Sequence, residues 1–246
     1  MFNLIKANVL YSHKREGVRL LLASSVWIYI FFLLCLLCPE IVSWDGERIA
    51  YVSFAEIIFR MNTSVCVHVL LLVSIASSFL YEEKKYGQIW FYRDVDRTKV
   101  FYAKTLVLVM LYLEYVVLLS VNSAVAYFFL YAPRYDIFTG TVMDINGIYS
   151  VLAIVCIVMA DILRLFVGIF IAASKNIAST IAGVLAYHVV ANVAKKVRPV
   201  NFLFVEGYLF DDALSNSEIL INSLMVFGIS LLLFTHFARK RFAYMD

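Results

Sequence analysis

The chain has 246 residues, 63% of them hydrophobic, with a mean hydropathy of +0.85 and a formal net charge of +3. Soluble domains are about 45–50% apolar, so a water-facing fold has no way to hide this much apolar surface. The small charge surplus carries no nucleic-acid signal, and the composition predicts a polytopic membrane protein.

Residues 1–17 mix Phe2, Ile5 and Val9 with Lys6, His13, Lys14 and Arg15. This predicts an elbow helix lying in the membrane interface, apolar side toward the acyl chains and basic side toward headgroups. Leu10 and Tyr11 stray from the stripe, and Gly17 offers a bend into the first crossing. Six long apolar runs follow, near 18–38, 62–81, 105–131, 148–174, 177–194 and 217–237. A hydrocarbon core of about 30 Å needs roughly 20 helical residues. The runs are continuous, without the alternation a barrel requires, so each is a helix. The first run is too long for a signal-peptide core and no small-residue cleavage site follows it, so it stays as a span. The expectation is an all-α membrane protein, one transmembrane domain over 1–246 with six transmembrane helices.

Between the spans, residues 39–61 carry Glu40, Asp45, Glu47, Arg48, Glu56 and Arg60 among aromatics and suit a short interfacial helix on the outer side. Residues 132–147 read as a plain surface loop. In 195–216, basic Lys195, Lys196 and Arg198 precede a mostly apolar stretch from Asn201 to Phe210, then Asp211-Asp212. Ten apolar residues are too few to cross, so this piece is expected to be re-entrant or interfacial. Residues 82–104 form the most polar segment, with Glu82, Glu83, Lys84, Lys85, Arg93, Asp94, Asp96, Arg97, Lys99 and Lys104. Five aromatics interleave with these charges, which predicts a short helix that docks on a protein or a headgroup.

Lys and Arg set the orientation. Fourteen of the 21 fall before the first span, in 82–104, at Lys175 and at Arg239-Lys240-Arg241; Arg164 lies within a span. Both termini are therefore expected in the cytoplasm, with the chain multi-pass in the plasma membrane. Cys35, Cys38, Cys66 and Cys156 lie in spans and read as small apolar packing groups.

Charges inside a bilayer cost roughly 2.5–3.5 kcal/mol each on insertion scales. Asp161 and Arg164, three apart on one face of span 4, and Glu114 in span 3 are the intramembrane candidates. They either line a substrate path or form an internal ion pair, joined by Glu114, that staples helices; the staple is the preferred reading. His68, His188, Asn122 and Asn192 read as interhelical hydrogen-bond partners. Ala178, Ser179, Ala182, Gly183 and Ala186 form a small-residue face on span 5, which fits close packing within the subunit or a dimer seam. Glu82-Glu83 with His188 and His236 is compared with the membrane-metalloprotease pattern E-E-x-x-x-R, but Gly87 stands where the Arg belongs. No phosphate-binding G-x-x-x-x-G-K-[ST] loop occurs. No catalytic residue, metal or cofactor is expected in this chain.

The order of elements resembles the membrane subunits of the type 2 ATP-binding-cassette (ABC) exporter family: elbow helix, two spans, a charged inner loop, four spans and a re-entrant stretch before the last. Glu83-Lys-Lys-Tyr-Gly87 with Arg97, Phe101 and Lys104 is similar to that family's E-x-x-x-G…R-x-x-x-φ-x-x-K run. Val95-Asp96 stands where the family usually has Pro before the Arg. The resemblance implies a half-transporter permease: two permease chains, identical or paralogous, and two separate cytoplasmic ATPase subunits that bind ATP and Mg. It implies that 82–104 is a coupling loop, with Glu82, Glu83, Gly87, Arg97 and Lys104 engaging the ATPase. It also implies export of amphipathic or hydrophobic cargo, above all toxin or antimicrobial peptides. The alternative is a secondary carrier, or a substrate-capturing membrane subunit, without a dedicated exporter ATPase; it predicts interrupted helices around a midplane site.

Overall fold

The computed structural model describes residues 2–37, 48–82, 96–145, 147–211 and 213–244, and all its regular elements are helical. These are α1 (Phe2–Ser12), α2 (Glu16–Leu37), α3 (Tyr51–Val65), α4 (Val67–Glu82), α5 (Arg97–Tyr131), α6 (Gly147–Ala172), α7 (Ile177–Ala194) and α8 (Asn216–Tyr244). Five helices are long and apolar enough to cross a bilayer, and the bent pair α3–α4 makes a sixth candidate span. The chain is thus an all-helical protein of multi-pass membrane type.

Local chemistry sets several helix starts. Asp96 Oδ1 accepts from Thr98 N at 2.8 Å to open α5, and Asn176 Oδ1 accepts from Ser179 N at 3.0 Å to open α7. Before α8, Ser215 N donates to Glu218 Oε2 at 2.8 Å while Glu218 N donates to Ser215 Oγ, a reciprocal capping box.

Helix α6 is the hub. It packs against α3, α4, α7, α8 and the turn Val205–Phe210, and 61% of its most apolar window is buried against 11% for α8. Helix α2 buries one narrow stripe at three- and four-residue spacing: Val18, Leu21, Ser25, Ile28, Phe32 and Cys35. Its opposite face, Leu20, Ile30, Leu33 and Leu37, is exposed and suits acyl chains. Gly168 on α6 lets α4 come close, since a Cβ there would lie 2.6 Å from a Val73 methyl.

Three connections differ from expectation. Residues 51–61, expected within a short interfacial helix, lie in α3, which buries Phe54, Ala55, Ile58 and Phe59 in the core and forms with α4 a bent pair long and apolar enough to be one broken span. The charges of 51–61 share one face of the helix, so a length-of-run reading stops too soon: Arg60 Nε donates to Glu56 Oε1 at 2.7 Å across one turn. Residues 132–147 are not a plain surface loop. Phe138 is buried among Phe54, Tyr127 and Tyr131, with ring centroids 5.4–5.8 Å away, and pairs in a parallel bridge with Ile49. The bend after α1 falls at His13–Arg15, and Gly17 lies inside α2 facing Ile75.

Candidate functional site

The hub position of α6 buries Asp161 and Arg164 almost completely, at 2% and 1% exposure. Their three-residue spacing stacks them on one face, and Arg164 Nη1 donates to Asp161 Oδ1. Asp161 Oδ2 gathers three further groups: His68 Nε2 at 2.9 Å, the Thr63 hydroxyl at 3.1 Å and the Tyr112 hydroxyl at 3.2 Å.

Thr63 and His68 reach one oxygen only because span 2 is broken between them. Five residues along a straight helix amount to about 140° of rotation, which would point the two side chains to nearly opposite faces. Cys66 instead adopts a left-handed backbone, φ 61°, and the chain bends by 54°. Both arms then wrap the same carboxylate. Tyr115 braces the bend from α5, its hydroxyl donating to Asn62 Oδ1 at 2.8 Å while its ring stacks on His68 at 5.3 Å.

The network runs on through Arg164. Arg164 Nη2 donates to Glu206 Oε2 at 3.4 Å, and Lys195 Nζ donates to the same oxygen at 2.8 Å. Glu206 comes from the second of two 3-10 turns, Val200–Leu203 and Val205–Phe210, within the stretch expected to be re-entrant or interfacial. Its backbone is held by the Ser223 hydroxyl on Val205 O at 3.2 Å and by the Tyr149 hydroxyl on Leu209 O at 3.0 Å. Gly207 is required there, because a Cβ would sit 1.9 Å from Asn201 O. Arg198 clasps Asp211 at 2.5 Å across the base of the piece.

The ion chain is therefore His68–Asp161–Arg164–Glu206–Lys195, and the charges of Asp161, Glu206, Arg164 and Lys195 cancel. A cavity lies at each end. One, of about 220 Å³, is lined by Trp27, Asn62, His68 and Tyr115 with Met61, Val65 and Val67. The other, of about 370 Å³, is lined by Arg60, Thr63, Asn192, Lys195, Lys196 and Glu206. His68 Nδ1 and Arg164 Nε have no hydrogen-bond partner among the described residues.

No protein family, curated protein or solved structure matches the chain. The chemistry of the site rests on its own geometry.

The expected link from Glu114 to Asp161 and Arg164 is overturned. Glu114 faces outward to the elbow, where its Oε2 lies 2.9 Å from His13 Nε2, and its side chain is 42% exposed. Run length places Glu114 within α5 but does not say which face of the helix it occupies, and that face is turned to His13. The third member of the Asp161–Arg164 cluster is Glu206. His68 does bond between helices, as expected, whereas His188 takes Asn192 of its own helix at 2.9 Å.

Of the residues assigned to coupling, Glu82 ends α4, and Arg97 and Lys104 lie in the first turns of α5 instead of in a loop. Lys104 is 1% exposed and its Nζ donates to Phe79 O on α4 at 2.6 Å. Glu83 and Gly87 lie outside the described residues, as does the helix expected between them and Arg97. Among the described residues no three His, Cys, Asp or Glu side chains converge as metal ligands. Cys35, Cys66 and Cys156 are buried free thiols.

Sequence reasoning passed over Glu206, Thr63, Tyr112 and Tyr115. For Glu206 a signal existed: one carboxylate in the middle of ten mostly apolar residues needs a buried cation. Nothing marked Cys66 as the breaking point.

Proposed function

We propose that the chain is the membrane-spanning permease of an ATP-driven exporter of the type 2 ABC kind. It carries no ATPase of its own; two cytoplasmic ATPase subunits drive it, and a second permease chain completes the path. It sits in the plasma membrane with both termini in the cytoplasm, and its cargo is amphipathic or hydrophobic, above all peptides. The observation that carries this reading is the buried tie from Lys104 Nζ to Phe79 O. It fastens the start of α5 to the end of α4, so a force applied to the polar segment between them reaches two membrane helices at once. A charge-assisted bond of this kind is worth about 1.5–3 kcal/mol. The chain order of elbow, spans and a re-entrant turn before the last helix supports the same reading.

The test is co-purification of the chain with the ATPase encoded beside it. Glu83→Lys and Gly87→Trp are expected to abolish the association or uncouple ATP hydrolysis. Stimulated hydrolysis that survives both changes sinks the assignment.

The carrier reading keeps one specific support, the break of span 2 at Cys66 beside a buried His–Asp–Arg cluster. Broken helices with intramembrane charges are the hallmark of ion-coupled sites. Proteoliposomes holding only this chain separate the two: uptake of a fluorescent amphipathic peptide driven by a pH gradient, without nucleotide, favours the carrier.

A further inference from the structure

We infer that the 370 Å³ cavity between α3, the end of α7 and the turn Val205–Phe210 is a binding site for an anionic phosphate group with an apolar neighbour. Three cations line it, Arg60, Lys195 and Lys196, against one carboxylate, Glu206. That carboxylate is already engaged, its Oε2 shared by Lys195 and Arg164. The other polar groups in the wall are also committed. The Thr63 hydroxyl donates to Asp161, the Ser64 hydroxyl to Arg60 O at 2.8 Å, and Asn192 Nδ2 bonds His188.

What remains is donor capacity. Arg60 uses Nε on Glu56 and keeps both terminal guanidinium nitrogens without a partner among the described residues. The Lys196 ammonium, exposed at the rim, has none there either. Arg60 is answered in charge by Glu56 through Nε alone, and Lys196 has no anion beside it among the described residues, so the cavity keeps free N–H donors and a surplus of positive charge that an entering anion would meet. A tetrahedral phosphate accepts from a guanidinium fork and from an ammonium together. Ile157, Leu209 and Phe210 line the same cavity, giving apolar atoms attached to the headgroup a dry surface. Basic pockets between membrane helices recognise phosphate-bearing headgroups on these terms. The site is independent of what drives the exporter.

The experiment follows thermal unfolding of the full chain, purified in detergent free of anionic lipid. It is titrated with phosphatidylglycerol, phosphatidylcholine or inorganic phosphate. Saturable stabilisation by phosphatidylglycerol and not phosphatidylcholine is expected. Arg60→Gln/Lys196→Gln is expected to raise the half-saturation concentration about a hundredfold, roughly tenfold for each of two charge-assisted bonds lost. Arg48→Gln/Arg134→Gln, an equal charge change away from the cavity, is expected to leave it unchanged. Lys196→Gln alone guards against misfolding, because Lys196 has no partner among the described residues to lose; it should melt like wild type and still bind more weakly. Stabilisation by inorganic phosphate as well assigns the site to a soluble phosphate; stabilisation by the lipid alone assigns it to a headgroup. The proposal fails if neither ligand stabilises saturably, if the control pair weakens binding equally, or if the cavity variants bind as wild type does.

Discussion

Replacing Asp161 by Asn tests whether the buried ion chain is a balanced unit. The substitution keeps size and leaves an amide oxygen to accept from Thr63 and Tyr112, so packing is nearly untouched. It removes the charge facing Arg164, and Asn Nδ2 then confronts a guanidinium as donor against donor. Arg164 keeps Glu206 at 3.4 Å, but that carboxylate is shared with Lys195 at 2.8 Å. The sum over the chain moves from zero to one uncompensated positive charge at a residue 1% exposed. Breaking a buried pair from one side costs about 3–5 kcal/mol. At about 2–4 °C per kcal/mol for a chain of this size, the melting temperature in lipid nanodiscs should fall by about 10 °C. Asp161→Asn/Arg164→Met removes both charges and should recover most of that loss, because an uncharged pair pays no desolvation. If Asp161→Asn melts as wild type does, or if the double variant is as unstable as the sum of the two single ones, the balance argument is wrong.

Four further outcomes are expected. The His13 imidazole is held above its usual pKa chiefly by the Val9 carbonyl, against partial burial, and then by the bond to and charge of Glu114. The stability this lends to elbow docking is fully present below the unfolded value of about 6.5 and fades as pH rises through the higher folded value. Both partners are well exposed, so the Glu114 part amounts to about 0.2–1 kcal/mol and weakens with salt; labelling of a cysteine placed at Leu10 should rise with pH more steeply in the wild type than in Glu114→Gln, and equal slopes would refute the contact's role. Gly207→Ala forces a Cβ onto Asn201 O, so the turn must rearrange and Glu206 should leave Lys195; a large drop in melting temperature is expected, and an unchanged melt refutes the turn's geometry. Cys66→Val places a β-branched residue at φ 61°, where such side chains are outliers, and should destabilise more than Cys66→Ala; equal losses would mean the left-handed conformation is not what matters. Lys104→Met keeps the apolar stem and removes the bond to Phe79 O; a loss of about 1.5–3 kcal/mol is expected by chemical denaturation.

The membrane-type composition, the helical architecture and the five helices long and apolar enough to cross a bilayer were readable from apolar run length, because lipid forces backbone groups to bond within each segment. The start of span 2 was not. Arg60 and Glu56 sit on one side of α3 with the apolar side turned inward, and a linear reading weighs their charge without seeing that segregation. Asp161 and Arg164 stood out by their cost in lipid, and the structure does pair them. Their further partners arrive through tertiary geometry: Thr63 and His68 by a backbone inversion at Cys66, Glu206 by a turn folded back under α8. Glu114 misled because run length does not tell which face of a helix a residue occupies, and this one faces His13 instead of α6.

The elbow meets α5 at Glu114, which lies seventeen residues from Arg97 and seventeen from Tyr131. Each side of that clip is thus about 25 Å of rigid rod. A pivot at that midpoint would turn a sideways step near Arg97 into a reversed step of similar size at the aromatic cluster around Tyr131.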